Sequence, residues 1–141
     1  MAYGPPAQRD GTAAALAWLN RQNFAFPPDH GARVVTTILT DAELRADWQA
    51  ELDVMRLRLQ DNRAALANAL VAATDGTPAF GALARQSGMF SLLPLSSVQI
   101  EALRTDHAIY LIGDGRINLA GINDLTLPRV VAAVAEVWRG A

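Results

Sequence analysis

The pattern that most restricts this chain runs from Asp41 to about Ala73. Leu44, Trp48, Leu52, Met55, Leu59, Leu66 and Leu70 recur at steps of three, four and seven, the spacing that stacks side chains on one face of an α-helix. Thr40-Asp41-Ala42-Glu43 supplies a cap and acids for its first turn. A continuous helix over that span is roughly 50 Å long at about 1.5 Å per residue. A compact domain of 141 residues does not need such a length, so the segment predicts a helix that bridges two domains or lies along an interface. Trp48 and Met55, inside the stripe, are expected in a core.

The flanking segments complete an α+β outline. Residues 1–11, with their prolines and glycines, read as a flexible lead. Residues 12–40 read as helical: Thr12 to Phe24 with Thr12 as the N-cap, an end forced by Phe26-Pro27-Pro28, then Gly31 to Leu39. After the long helix, Thr74 to Pro78 is a turn, Phe80 to Arg85 a short helix, and Gly88 to Leu93 an extended segment. Ser96 and Gln99 match a capping box, opening a helix to about Asp106. Ile109 to Ile112 reads as a buried strand and Gly113-Asp114-Gly115 as a hairpin-type turn. Arg116 to Ala120 is then the strand that follows the turn. A last helix spans Thr126 to Trp138, with Pro128 tolerated in its first turn and Val130, Val131, Val134, Val137 and Trp138 on its apolar side. Three strands covered by helices make a small, mostly antiparallel layer.

Several function classes are disfavoured by composition. The net charge is −2 and acids and bases are interleaved, so no basic footprint for nucleic acid or an anionic membrane is expected. No run approaches the roughly 20 apolar residues of a membrane span, and no charged-then-apolar leader opens the chain; a cytoplasmic protein is the expectation. Cysteine is absent and His30 and His107 stand far apart, so neither a thiol nucleophile nor a metal site is expected. All twelve basic residues are arginine. The chain therefore offers no side-chain amine.

Three residues invite a chemical role. Arg116 follows a glycine turn and opens a strand, and its guanidinium fork matches a carboxylate bidentately, as lysine does not. The local pattern alone favours a structural pairing with Asp114 or with a helix C-terminus. Arg21 ends a helix, where a solvated cation favours the dipole. Phe90 lies on a short extended segment, where an aromatic is usually core. His30 has no partners for a triad and reads as a solvent-facing turn residue. The glycines around Arg116 form no phosphate-binding motif.

Four segments in order carry a family likeness: Pro27-Pro28-Asp29-His30-Gly31-Ala32-Arg33-Val34-Val35, Trp48 to Arg58, Gln86-Ser87-Gly88-Met89-Phe90-Ser91, and Gly115-Arg116-Ile117-Asn118-Leu119-Ala120-Gly121. Together, from about Thr12 onward, they resemble the C-terminal third of class I pyridoxal-phosphate aminotransferases of the aspartate and aromatic amino acid type. The resemblance implies the small domain of fold-type I enzymes, with residues 12–40 closing the large domain and residues 41–141 forming the connecting helix and small domain. It implies that Arg116 binds the substrate α-carboxylate and Phe90 lines the substrate pocket. It further implies that Arg21 reaches a partner subunit's site to hold a dicarboxylate side chain, and that family members are homodimers moving an amino group from an amino acid to a 2-oxo acid. Two departures stand out. Ala25-Phe26 replaces the family's Ser-Asn before the double proline, and the cofactor domain, with its Schiff-base lysine, is missing. The expectation is a substrate-binding part that is inactive alone and binds no pyridoxal phosphate by itself. It would act as a homo-oligomer or paired with a cofactor domain; the alternative is a stand-alone non-catalytic binding or interaction module.

Overall fold

A computed structural model describes residues 4–23, 26 and 28–140. The chain divides into two compact units, Met1–Gln49 and Ala50–Ala141. Its helices are α1 (Arg9–Asn23), α2 (His30–Thr40), α3 (Ala42–Ala73), α4 (Pro78–Gly81), α5 (Ser97–Thr105) and α6 (Thr126–Arg139), with strands β1 (Phe90–Leu92) and β2 (Arg116–Asn118). The α+β class and the antiparallel sheet are as expected.

In the first unit a 3-10 turn at Pro6–Gln8 leads into α1. Proline at its first position presets the turn, so the helix opens at Arg9 and Thr12 lies inside it instead of capping it. Phe24, Ala25 and Pro27, on which the expected helix end falls, lie outside the described residues. No described residue of this unit is buried. Leu16, Trp18, Leu19, Val34, Val35 and Leu39 are all exposed.

The start of α3 is set by Asp41, whose Oδ1 accepts from the backbone N–H groups of Glu43 and Leu44, each at 3.0 Å, satisfying two of the donors that a helix N-terminus leaves open. Helical periodicity places Leu44 to Leu70 on one stripe, but burial divides it. Leu66 and Leu70 are fully buried and Leu59 packs against the core, whereas Leu44, Trp48, Leu52 and Met55 are exposed. The core expectation for Trp48 and Met55 therefore fails: periodicity identifies an apolar face and does not specify what covers it.

The core of the second unit joins Leu66, Ala67 and Leu70 of α3 to Phe80 and Leu83, Leu93, Leu103 of α5, Ile117, Leu119 and Ile122, and Val130, Ala133 and Val134 of α6. Phe80 meets Trp138 edge to face, with centroids 4.9 Å apart and rings at 65°. The capping box forms as read: the Ser96 Oγ accepts from Gln99 N and the Gln99 Oε1 from Ser96 N. The Gln99 amide also donates to the Val137 carbonyl at 3.1 Å, tying α5 to α6.

Among the described residues the sheet has two strands, not three. Ile109–Ile112 forms no ladder. Ala108 adopts a positive φ of 52°, and Ile109 N–H turns back to the Leu103 carbonyl, which diverts the segment from extended pairing. The Gly113–Gly115 turn does close, through Gly115 N to Ile112 O at 2.7 Å. However, the partner of β2 is β1, with Phe90 opposite Asn118, Ser91 opposite Ile117 and Leu92 opposite Arg116.

Candidate functional site

Alternation along the ladder sorts its six side chains by face. Ser91 and Ile117 point into the core, while Phe90, Leu92, Arg116 and Asn118 face outward. Phe90 is 37% exposed, so it is a face residue instead of a core one. It and Arg116 sit diagonally on neighbouring strands, within reach of long side chains. Both line a groove of about 530 Å³ with Gln86, Ser87, Leu92 and Asp114.

The loop before each strand shapes this groove. Gly115, at φ 90°, makes the turn that delivers Arg116, and its carbonyl accepts from Leu93 N at 3.0 Å. On the β1 side the Gln86 amide bonds the Leu92 backbone twice: its Oε1 accepts from Leu92 N at 2.8 Å and its Nε2 donates to Leu92 O at 3.3 Å. Gln86 thus serves as a substitute strand edge. Asn118 caps the following 3-10 turn by accepting from Ala120 N at 3.0 Å.

Arg116 pairs with Asp114, as its local pattern suggests. Its Nε donates to Asp114 Oδ2 at 2.8 Å and Oδ1 at 3.0 Å, and its backbone N–H lies 3.3 Å from Oδ1. The Arg116 side-chain hydrogen bond holds the Asp114 carboxyl below its ordinary value. The pairing engages only Nε. Among the described residues neither terminal nitrogen of Arg116 carries a hydrogen bond, so the end of the fork remains able to take a second carboxylate.

Arg21 belongs to the other unit, in the last turn of α1, with its guanidinium carbon 5.4 Å from the centroid of the Phe26 ring. It shares no element with Arg116 or Phe90. His30 is exposed at the first position of α2. Three residues that matter to the groove have no role in the sequence reading: Gln86, and Asn62 and Arg63 on α3. Gln86 stands at the head of the Gln86–Ser91 segment, so its position is legible there, though its double bond to Leu92 is not.

The described residues hold no cluster of three or more metal-ligating side chains. The pyridoxal phosphate that the sequence resemblance implies would be held through a lysine amine, and this chain contains no lysine. The side chains present do not fit that attachment.

The sequence model of the family described as "Aminotransferase class I and II" matches residues 10–134. The aromatic-amino-acid aminotransferase of Paracoccus denitrificans is 44% identical over 134 residues, 93% of this chain and 33% of that one. The tyrosine aminotransferase of Rhizobium meliloti (strain 1021) is 49% identical over 116 residues, 82% of this chain and 29% of that one. A solved aromatic amino acid aminotransferase with 3-indolebutyric acid superposes with a TM-score of 0.86 at 44% identity, covering 93% of this chain and 33% of its own. The chain thus spans about a third of the length of the relatives it matches. With matches of this extent, the chain belongs to the class I and II aminotransferase family.

Proposed function

We propose that this chain is the substrate-carboxylate-binding part of an aromatic- or aspartate-type amino acid aminotransferase, and that it transfers no amino group on its own. The observation that supports this most is the shared outer face of the ladder, where Phe90 stands beside an Arg116 whose fork ends are not hydrogen-bonded. A carboxylate taken by the two terminal nitrogens makes a charge-assisted bidentate pair, while Asp114 on Nε restricts the rotation of the fork. Phe90 then packs against the substrate's ring or chain. In this reading Arg21 serves dicarboxylic substrates, in a site shared with a second copy.

Amino transfer within this family uses pyridoxal phosphate. That cofactor performs the electron-sink chemistry when bound, and an amine must come from outside this chain. The reading therefore includes an amino acid and a 2-oxo acid as ligands and a cofactor-bearing partner, either a second polypeptide or a longer chain. It places the work in cytoplasmic amino acid metabolism; no helix of the described residues is long and apolar enough to cross a membrane.

The test is to mix the purified chain with pyridoxal phosphate, tyrosine and 2-oxoglutarate and to follow glutamate formation. No turnover is expected. Turnover that persists through rigorous purification would overturn the inactive reading.

A further inference from the structure

We propose that Arg63, with its neighbour Asn62, is a positioning residue that holds Phe90 against Arg116 from behind the ladder; this rests on the carboxylate-binding reading above. Arg63 is 5% exposed, and among the described residues no carboxylate lies within ion-pair distance of it. A buried guanidinium without a counterion is costly, and an apolar side chain of similar length would fill the space with less penalty. Its hydrogen bonds show what the charge is used for. Nε donates to the Ser91 hydroxyl at 3.3 Å and Nη2 donates to the Gly88 carbonyl.

Both acceptors lie in the segment that presents Phe90. Ser91 is 1% exposed and points inward from β1, so anchoring it sets the pitch of the strand and the direction in which Phe90 leaves the outer face. Gly88 is held at φ 90°, two residues before Phe90. Packing leaves the start of this segment, through Met89, open on the α3 side. A cavity of about 670 Å³ opens there, lined by Leu52, Met55, Leu59, Arg63 and Met89 among others, and a Cβ at Gly88 would meet nothing within 4 Å. Directed hydrogen bonds substitute for the missing contacts.

The adjacent residue on α3 does the same for the other strand. Asn62 Nδ2 donates to the carbonyls of Leu119 at 3.0 Å and Ile122 at 2.8 Å, immediately after β2. The segments are then joined to each other by Leu119 N to Met89 O at 2.9 Å. Two consecutive residues of one rigid helix thus reference both strands to a common frame. The fork of Arg63 spans two acceptors, which a lysine ammonium at the same position does not reproduce.

The experiment uses the full chain and two probes that differ by a ring, 3-indolebutyric acid and butyric acid. The dissociation constant of butyric acid divided by that of 3-indolebutyric acid reads the Phe90 contact, while butyric acid alone reads Arg116. Arg63→Met, which removes both hydrogen bonds, is expected to cut that ratio about 3-fold to 10-fold, the scale of a net hydrogen-bond contribution, and Arg63→Lys to do nearly the same. In an R63M/F90A double variant the ratio should be no lower than in F90A alone, because Arg63 acts through Phe90. Should R63M fail to fold, Ser91→Ala removes one acceptor with little volume change and is expected to lower the ratio by about 2-fold. A folded R63M or S91A with a lower Tm and an unchanged ratio overturns the proposal, leaving Arg63 a stabilising residue only. Phe90 χ1 coupling constants on the ligand-free chain separate the two readings. Absent Arg116-dependent binding with Phe90 fixed in the wild type and rotamer-averaged in R63M defeats the carboxylate site but keeps the anchor. Binding with Phe90 equally fixed in both defeats the anchor.

Discussion

Replacing Gly115 with alanine isolates how the Arg116 turn is built. At φ 90° an L-residue meets its own carbonyl, which costs about 1–2 kcal/mol. The added methyl would also lie 2.9 Å from the Leu93 carbonyl oxygen, a backbone atom held in place because Leu93 N–H donates to Gly115 O at 3.0 Å. Relieving that contact stretches the ladder, an overpacking cost of about 1–3 kcal/mol. The sum is a destabilisation of about 2–5 kcal/mol. Gly88 is the internal control: it has the same φ of 90° but nothing within 4 Å of an added methyl, so G88A should cost only the conformational part, about 1–2 kcal/mol. Urea unfolding followed by Trp138 fluorescence, in a background with Trp18 and Trp48 changed to phenylalanine, reads both variants. Trp138 is suited to this because it packs on buried Phe80. G115A and G88A agreeing within about 0.5 kcal/mol would refute the steric argument.

Three further outcomes follow from the same geometry. Leu66→Ala and Leu70→Ala, both at fully buried positions, should each cost about 2–5 kcal/mol in urea unfolding, while Leu57→Ala, 49% exposed, should cost under about 1 kcal/mol. Gln99→Ala removes the reciprocal half of the capping box and the Val137 bond and should cost about 1–3 kcal/mol; equality with an exposed-site control in the same assay would contradict both bonds. The Asp114 carboxyl, lowered by the Arg116 hydrogen bond, should show a carbon-13 titration midpoint below 3.8 that returns toward 3.8 in Arg116→Leu. Because its folded value is depressed, its contribution to stability is present above the unfolded value and is lost as pH falls through the folded one. Near neutral pH that contribution is fully present, so stability there should not vary with pH on its account.

What was legible in the sequence was local. A cap within Thr40–Glu43, which proves to be Asp41, the helix to Ala73 and the Ser96–Gln99 box all depend on neighbours close in sequence, and each forms where it was expected. Arg116's pairing with Asp114 is equally local. The ladder was not legible, because Phe90 and Asn118 meet across 28 residues and the Ile109–Ile112 run offered a nearer apolar partner for β2. Trp48 and Met55 show the same limit for helices: a stripe reports a preference for cover, and here the cover extends only over its C-terminal half. Arg63 was hidden for a third reason. A lone arginine on a helix is usually solvated, and only the fold brings Ser91 and Gly88 to its fork.

The most direct measurement is a titration of the nitrogen-15 labelled chain with 3-indolebutyric acid, observing the Arg116 side-chain and Phe90 backbone resonances together. A saturable shift of both, lost in Arg116→Leu, is the predicted result. Saturable binding that leaves those two signals unmoved, or that survives the leucine substitution, would place the carboxylate elsewhere and contradict the account.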